Sequence, residues 1–538
     1  MFELAFQGRL TAQNPRDKQV PVSYEEMQEK KRSLISEKKI KPLQLRPIVS
    51  DECPHELPAS WLWVRLGDVI NYDCGIKTDS EDIADDAWVL DLEDIEKDSS
   101  VIIQRKLYKE RNSRSTKSEF RQDDVLYGKL RPYLNKIVVA DSLGYCTTEI
   151  VVLRPYHEID SKYLLYAMKR PDYLRYVESK MYGMKMPRLG TEDAYNAYFP
   201  LAPVEEQLRI VYRIESLMNL CAAIRTKKEH RNSHLLSLNT SVLDHLASAI
   251  EPKEFTKHWN LICNNFDTLY SVSETVGQLR HTILQLAVQG RLVKQDTNDE
   301  PASILLEKIK TEKEKLIKEK KIKKTEPLPP IKPEEMPYEL PKGWEWARFA
   351  DVIELQHGHQ FREYDFVATG IPVIKIGQCN PDGSLDLVGC DYIAKERESE
   401  FEQFKIHKDD LLMALTGGTL GKVTWVKQDY GVVVQNYRVG KFIPLSGYFD
   451  KRFIAIILRS RLFQSLVQGS VNQNAQPNIG KEKIELLAIP VPPVNEQVRI
   501  VGKNDLLLAM CEKIEWCLMR AENNHEYFAE SVVREMVA

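Results

Sequence analysis

Apolar positions along this chain follow two periods. Downstream of Pro200 and Pro203, Leu208, Val211, Ile214, Met218 and Cys221 recur at spacings of three and four, followed by Leu235, Val242 and Leu246, which predicts a long amphipathic helix. The prolines mark its start, and Glu205 and Glu206 fall in a first turn near the positive end of the helix dipole. Val276, Leu279, Ile283 and Leu286 repeat the spacing and predict a second helix. The stretch 251–266, with Pro252, reads as a turn, so that the two helices pack antiparallel as a coiled-coil hairpin. Other segments carry short β-like runs, KIVVA and EIVVLRP before Pro200, GKVTWV and GVVVQNYRVGKF before Pro490. Each of these segments also holds a helical pattern, SKYLLYAMKRPDYLRYV or KRFIAIILRSRLFQSLV. Proline groups interrupt the chain ahead of both, Pro42, Pro47, Pro54 and Pro58 in one case and Pro327, Pro329, Pro330 and Pro333 in the other.

The pattern is written twice, which decides architecture before any single motif does. LAFQGRL from Leu4 returns as LAVQGRL from Leu286, and LISEKKIK from Leu34 as LIKEKKIK from Leu316, both 282 positions on. ELPASWLWVRLGDVI from Glu56 returns as ELPKGWEWARFADVI from Glu339, and QDDVL from Gln122 as KDDLL from Lys408. PLAPVEEQLRIV from Pro200 returns as PVPPVNEQVRIV from Pro490. The first copy begins within a unit and the second stops short of the segment 276–285, so the two chain ends together make one split unit. The expected fold class is therefore mixed α/β globular domains with long antiparallel α-helical coiled-coil spacers, a tandem repeat with an approximate two-fold, circularly closed organisation. The expected boundaries are 1–56 for an N-terminal helical segment and linker, 57–203 for a first globular domain, 204–339 for central helices and a proline-rich linker, 340–493 for a second globular domain, and 494–538 for a C-terminal helix.

Composition narrows the function. The chain has 538 residues, 43% hydrophobic and 29% charged, as expected of a globular protein with at least two domains. A net charge of −4 and a pI near 6.3 provide no global basic field, so nucleic-acid contact would come from local basic surface or a shared complex. The nine cysteines include no CxxC pair and read as thiols of a reducing cytoplasm. The N-terminus lacks a signal-peptide core, and no apolar run approaches the roughly 20 residues a membrane helix needs.

Catalytic motifs fail on spacing. Pro171, Asp172, Glu178 and Lys180 imitate a PD…ExK nuclease, which needs carboxylates on adjacent strands, but they lie within one helical stretch. GGTLGK at 417–422 lacks the spacing of a phosphate loop, and Val423 replaces the metal-binding hydroxyl. The near misses to an adenine methyltransferase tetrapeptide, 491–494 and 328–331, lack both its polar and its aromatic residue. His357 and His359 have no third and fourth ligand and read as an exposed loop, so no metal is expected. A purely structural helical adaptor is the other class, against which stand the two large, non-identical globular domains.

The motifs W-x-W-x-x-[LF]-x-D-V-I, DD-[VL]-L and P-x-x-P-x-x-EQ-x-RI, in this order and twice, resemble those of type I restriction-modification specificity subunits across nearly the whole chain. The resemblance implies two target-recognition domains, each reading half of a split DNA site, and spacer helices that set the gap between the halves. It implies two modification subunits that methylate adenine, and restriction subunits for cleavage. S-adenosylmethionine, ATP and Mg are then expected on the partners, with no cofactor and no catalysis on this chain, and the complex is expected in the cytoplasm.

Readout of base edges calls for Arg, Lys, Asn, Gln, Ser or Thr on loops that reach a groove. In the first domain, YGKLRPYLNK offers Lys129, Arg131, Asn135 and Lys136, and YGMKMPRLG offers Lys185 and Arg188. In the second, LTGGTLGK offers Thr416, Thr419 and Lys422, QNYR offers Gln435, Asn436 and Arg438, and VNQNAQPN offers Gln473, Asn474, Gln476 and Asn478. These loops hold equivalent places in the two copies and differ in side chains. Trp61, Trp63, Trp344 and Trp346 read as strands with one packed face rather than base-stacking platforms. The lysine runs 38–41 and 318–324 read either as phosphate contacts or as solvated helix ends.

Overall fold

The computed structural model describes residues 1–111, 115–320, 327–469 and 477–537. The chain divides into two compact units, one of residues 1–228 with 530–538 and one of 229–529. In the first unit, strand Leu62–Arg65 pairs antiparallel with Tyr198–Leu201, so a globular domain opens and closes on one ribbon. The second unit repeats this with Glu345–Arg348 and Ala488–Val491.

Inside each ribbon lies a four-stranded sheet of the same order. In the first domain the neighbours run Ile70–Tyr72, Ile150–Pro155, Val125–Gly128, Ile137–Val139; in the second Ile353–His357, Val439–Pro444, Leu411–Ala414, Val423–Trp425. Alternation along these strands places two cores on opposite faces. Val125, Tyr127, Val151 and Leu153 join Trp61, Tyr163 and Phe199 on one side, while Leu126, Ile150 and Val152 join Trp88, Leu90 and Phe120 on the other. Leu411, Met413 and Phe442 likewise face Trp344 and Phe453, and Leu412 and Val439 face Ile374 and Ile406. The copies diverge in the outer sheet, which has five strands in the first domain and four in the second. Trp61, Trp63 and Trp344 are buried, as their alternation predicts, and Trp346 is partly buried.

The helices that follow the domains include α1 (Val204–Ser248), α2 (Pro252–Asn264), α3 (Ser273–Val288) and α4 (Val494–Val537). At 45 residues, α1 is about 68 Å long. The turn expected at 251–266 is corrected: most of it is α2, with Pro252 at the first helical position, where its missing N–H costs nothing. In the second unit, Val242, Leu243 and Leu246 of α1, Ile262 of α2, Val276, Ile283 and Leu286 of α3 and Cys511 of α4 share one apolar cluster. No helix among the described residues is long and apolar enough to cross a membrane.

The repeated motifs form a joint between each domain and its long helix. Glu206 is fully buried and accepts hydrogen bonds from Trp61 Nε1 (2.8 Å), Thr11 Oγ1 (3.1 Å) and Gln13 Nε2 (2.5 Å). It lies in the first turn of the helix, as its sequence position predicts, and adds these tertiary hydrogen bonds to that placement. Glu496 receives Trp344 Nε1 and Gln295 Nε2, both at 3.0 Å. The adjacent Gln207 and Gln497 accept from the backbone N–H of Asp160 and Asp450, residues that cap the helices Ser161–Ala167 and Lys451–Arg459. Two further ion pairs, Arg209 with Asp17 and Arg499 with Asp299, complete the correspondence. The proline-rich linkers are tied down by Arg65, which donates to the carbonyls of Arg46, Pro47 and Asn196, and by Arg348, which donates to those of Pro329, Pro330 and Leu486. The DD motif is a turn device. Asp123 and Asp409 both have φ near +66°, and the following Asp124 and Asp410 accept the backbone N–H three residues upstream.

Candidate nucleic-acid interface

Two loops of the first domain meet at the edge of its central sheet. Leu130 and Arg188 bridge as strand partners, Arg131 N donates to Pro187 O (2.7 Å), Leu189 N to Lys129 O (3.1 Å), and Lys129 N to Glu149 O (3.0 Å). The second domain repeats the knot with other residues. Thr416 bridges Asn478, Gly417 N donates to Pro477 O (2.8 Å), Ile479 N to Leu415 O (3.1 Å), and Leu415 N to Arg438 O (2.9 Å). Arg131 and Gly417 occupy equivalent left-handed positions, φ 49° and 75°. The loops nominated from sequence therefore converge within each domain on a hydrogen-bonded ridge.

Individual residues separate into presented and covered groups. Arg131, Lys185, Arg438 and Asn478 are exposed, and Lys129 is partly so. Arg438 Nε donates to Tyr437 Oη (2.8 Å). Arg188 makes a two-pronged ion pair with Glu149 (3.1 and 2.7 Å), which holds the Glu149 carboxyl below its usual range. Lys136 Nζ donates to Leu92 O (2.6 Å). Asn135, Gln435 and Asn436 are buried, contrary to the expectation of groove-facing side chains. Gln435 gives both amide hydrogens to the backbone carbonyls of Gln356 and Val439, and Asn436 accepts from Arg438 N. The Thr416 and Thr419 hydroxyls are covered. Gln473, Asn474 and Gln476 lie outside the described residues, as does part of the 318–324 lysine run.

Sequence reading missed two features. Glu149 stands where the second copy has Arg438, so aligning the copies residue by residue marks a site of opposite charge. Lys422 lines an open cleft of about 970 Å³ with Arg280, Arg452 and Arg459 against Asp505 and Glu512. Arg452 and Arg459 stand seven apart on the helix Lys451–Arg459, a spacing that puts both on one face.

The motifs that imitate enzymes are structural. Asp172 pairs with Arg170 at the start of the helix Pro171–Lys180, which also carries Glu178 and Lys180 at its exposed end. Residues 417–419 form a 3-10 turn. The exposed loop expected at His357 and His359 is corrected. His357 ends a strand, with its Nδ1 3.1 Å from Tyr437 O, and His359 packs on Phe361, Phe401 and Phe404. Burial lowers the His357 pKa. Among the described residues, Glu26, His157 and Glu158 stand close enough to share a cation, but Lys18 Nζ already donates to Glu26 (2.6 Å) and Glu158 (2.8 Å) there. All nine cysteines are free.

The chain is similar to known proteins over nearly its whole length. The family described as type I restriction modification DNA specificity domain matches residues 341–507. The EcoAI specificity subunit of Escherichia coli is 31% identical over 553 residues, covering 99% of this chain and 92% of that protein. The EcoEI specificity subunit of Escherichia coli is 28% identical over 564 residues, with the same coverage. A chain solved in a study of complex assembly and conformational transition of the type I R-M system has the same fold, with a TM-score of 0.55 at 18% identity over 90% of this chain and 99% of that one. The chain thus belongs to the specificity subunits of type I restriction-modification enzymes, the non-catalytic component that recognises DNA sequence.

Proposed function

We propose that residues 57–203 and 340–493 are two target-recognition domains, each reading half of a bipartite, asymmetric duplex site. The helices between and after them act as coiled-coil spacers that fix the gap between the halves, as paired half-sites require of a rigid two-headed reader. The observation that carries this reading is the repeated ridge, one backbone knot presenting different side chains: Arg131, Lys185 and the Glu149–Arg188 pair in one domain, Arg438 and Asn478 in the other. Phosphate contacts position such a ridge, and base-edge contacts specify the sequence.

Two modification subunits dock on the helices, flip out an adenine in each half-site and methylate it with S-adenosylmethionine, and restriction subunits supply ATP- and Mg-dependent cleavage. This chain binds none of these cofactors, and the complex works in the cytoplasm. The repeat closes circularly about an approximate two-fold axis, a reading supported by the inclusion of both residues 1–228 and 530–538 in one compact unit.

The test is co-expression with the modification subunit, followed by single-molecule sequencing of methylated adenines across the host genome. A two-part motif with a fixed gap is expected. A stable complex that produces no new methylation would refute the reading.

A further inference from the structure

Met184 is the most solvent-exposed large apolar side chain in the structure's described residues, at 98% exposure, and it stands on a loop that is not free to fold away. Tyr182 and Arg188 exchange both backbone hydrogen bonds, N to O at 3.1 Å and 3.0 Å, closing residues 183–187 into a hairpin tip. Gly183 turns the chain at φ +96°, a conformation that side chains with a Cβ rarely adopt. The base of the tip is clamped three ways: Arg131 N to Pro187 O, Leu189 N to Lys129 O, and the Arg188 guanidinium on Glu149. A thioether held in water on such a pedestal buries nothing in the free protein. Tyr182 and Met186 beside it are 61% and 48% exposed, so the tip is an apolar point rather than one stray side chain.

Its surroundings decide the occupant. Lys185 is exposed at the tip, and Arg131 is exposed at its base. An apolar point flanked by these two cations matches a polyanion with a stacked apolar interior rather than an apolar protein groove. Duplex DNA offers this combination, and methionine is among the side chains that proteins insert between base steps. We propose that Met184 is a wedge that the first domain inserts between stacked bases of its half-site, with Lys185 and Arg131 holding the flanking phosphates. The proposal rests on the DNA-reading assignment above. It adds a specificity-determining residue, because an unstacked step is cheapest at flexible pyrimidine–purine sequences, which the domain would then favour without touching their edges.

The test uses the full chain with its modification subunits on duplexes carrying the mapped site, with 2-aminopurine placed in turn at each step of either half-site. The wild-type complex should raise fluorescence at one step of the first domain's half-site. Met184→Ala should return that signal to the level of free duplex and weaken binding roughly tenfold, from loss of one buried thioether chain. Met184→Leu should retain both properties, and signals in the other half-site should be the same in all three proteins. An unaltered signal and affinity in Met184→Ala would overturn the wedge while leaving the DNA-reading assignment standing. So would weakened assembly of Met184→Ala with the modification subunits in the absence of DNA, which would make Met184 a protein contact. A wild-type complex with no site-specific binding would overturn the DNA-reading assignment, and the wedge with it.

Discussion

Trp61→Phe isolates the joint between the first domain and α1. The substitution keeps most of the ring packing against Tyr163, whose centroid lies 6.5 Å away, and removes the indole N–H that reaches Glu206 Oε2 at 2.8 Å. Glu206 is fully buried, so water cannot replace the lost donor. A hydrogen bond to a charged group contributes about 1.5–3 kcal/mol, and about 2 kcal/mol corresponds to a thirtyfold change in a local opening equilibrium. Amide hydrogen exchange over residues 204–211 should therefore accelerate about thirtyfold in Trp61→Phe, with little change over 494–501. Trp344→Phe should produce the converse pattern, through Glu496. The pH dependence has a definite sign. Burial pushes the Glu206 carboxyl up, ahead of the hydrogen bonds from Trp61, Thr11 and Gln13 that pull it down. A raised folded-state pKa means that the contribution is fully present below the unfolded value, about 4.3, and is lost as pH rises through the folded value. Removing one of the lowering hydrogen bonds raises the folded value further, so the defect should be larger at pH 7 than at pH 4. Exchange within twofold of wild type over 204–211 at pH 7, or equal acceleration at both joints, would refute the account.

Four other outcomes follow from the same structure. Arg65→Met leaves three linker and domain carbonyls without their donor and should expose the 42–58 segment to limited proteolysis while the four-stranded sheet stays protected. Arg348 holds the Glu335 carboxyl at about 2, below its unfolded value; the stability this contributes is present above about pH 4.3 and is lost as pH falls toward 2, so acid titration of linker protection should show a step that Glu335→Gln lacks. Arg131→Ala and Lys185→Ala should each weaken DNA binding about equally across sequences and lower the slope of log affinity against log salt by roughly one, measured by fluorescence anisotropy. Replacing residues 57–203 with the corresponding domain of another family member should change one half of the methylated motif, and a change in both halves would exclude independent readers.

The long elements were legible because their signals were redundant. In α1 a proline start coincides with three- and four-residue apolar spacing, and the whole block returns 290 positions on. The α2 segment, with Pro252, reads as a turn, although Phe255, Trp259 and Ile262 behind it have helical spacing. The site was legible as loops and illegible as side chains. Composition marks 435–438 as polar, but whether Gln435 donates to DNA or to its own backbone depends on Gln356, which lies 79 residues away. The Arg188–Glu149 pair spans 39 residues and leaves no local pattern. Glu206 is legible as a first-turn acid, but not as a buried acceptor, because the donors that claim it come from residues 11, 13 and 61.

Subtracting one copy from the other sorts the molecule by purpose. Residues that recur, Trp61 and Trp344, Arg65 and Arg348, Glu206 and Glu496, Gln207 and Gln497, Arg209 and Arg499, are those whose polar groups are consumed within the joints and linkers. Residues that change at matched positions, Glu149 against Arg438 and Arg188 against Asn478, lie on the ridge, where the backbone bonds are conserved and the side chains are not. A joint residue is bound by partners on both sides of the domain boundary, so its replacement costs stability before it can alter sequence preference. A ridge residue such as Arg438 is held by its backbone, whose carbonyl accepts from Leu415 N, and its exposed side chain can vary with little cost to the fold. Under the proposed function, specificity would therefore change domain by domain at constant half-site spacing, because the residues consumed in the joints are not those displayed on the ridge.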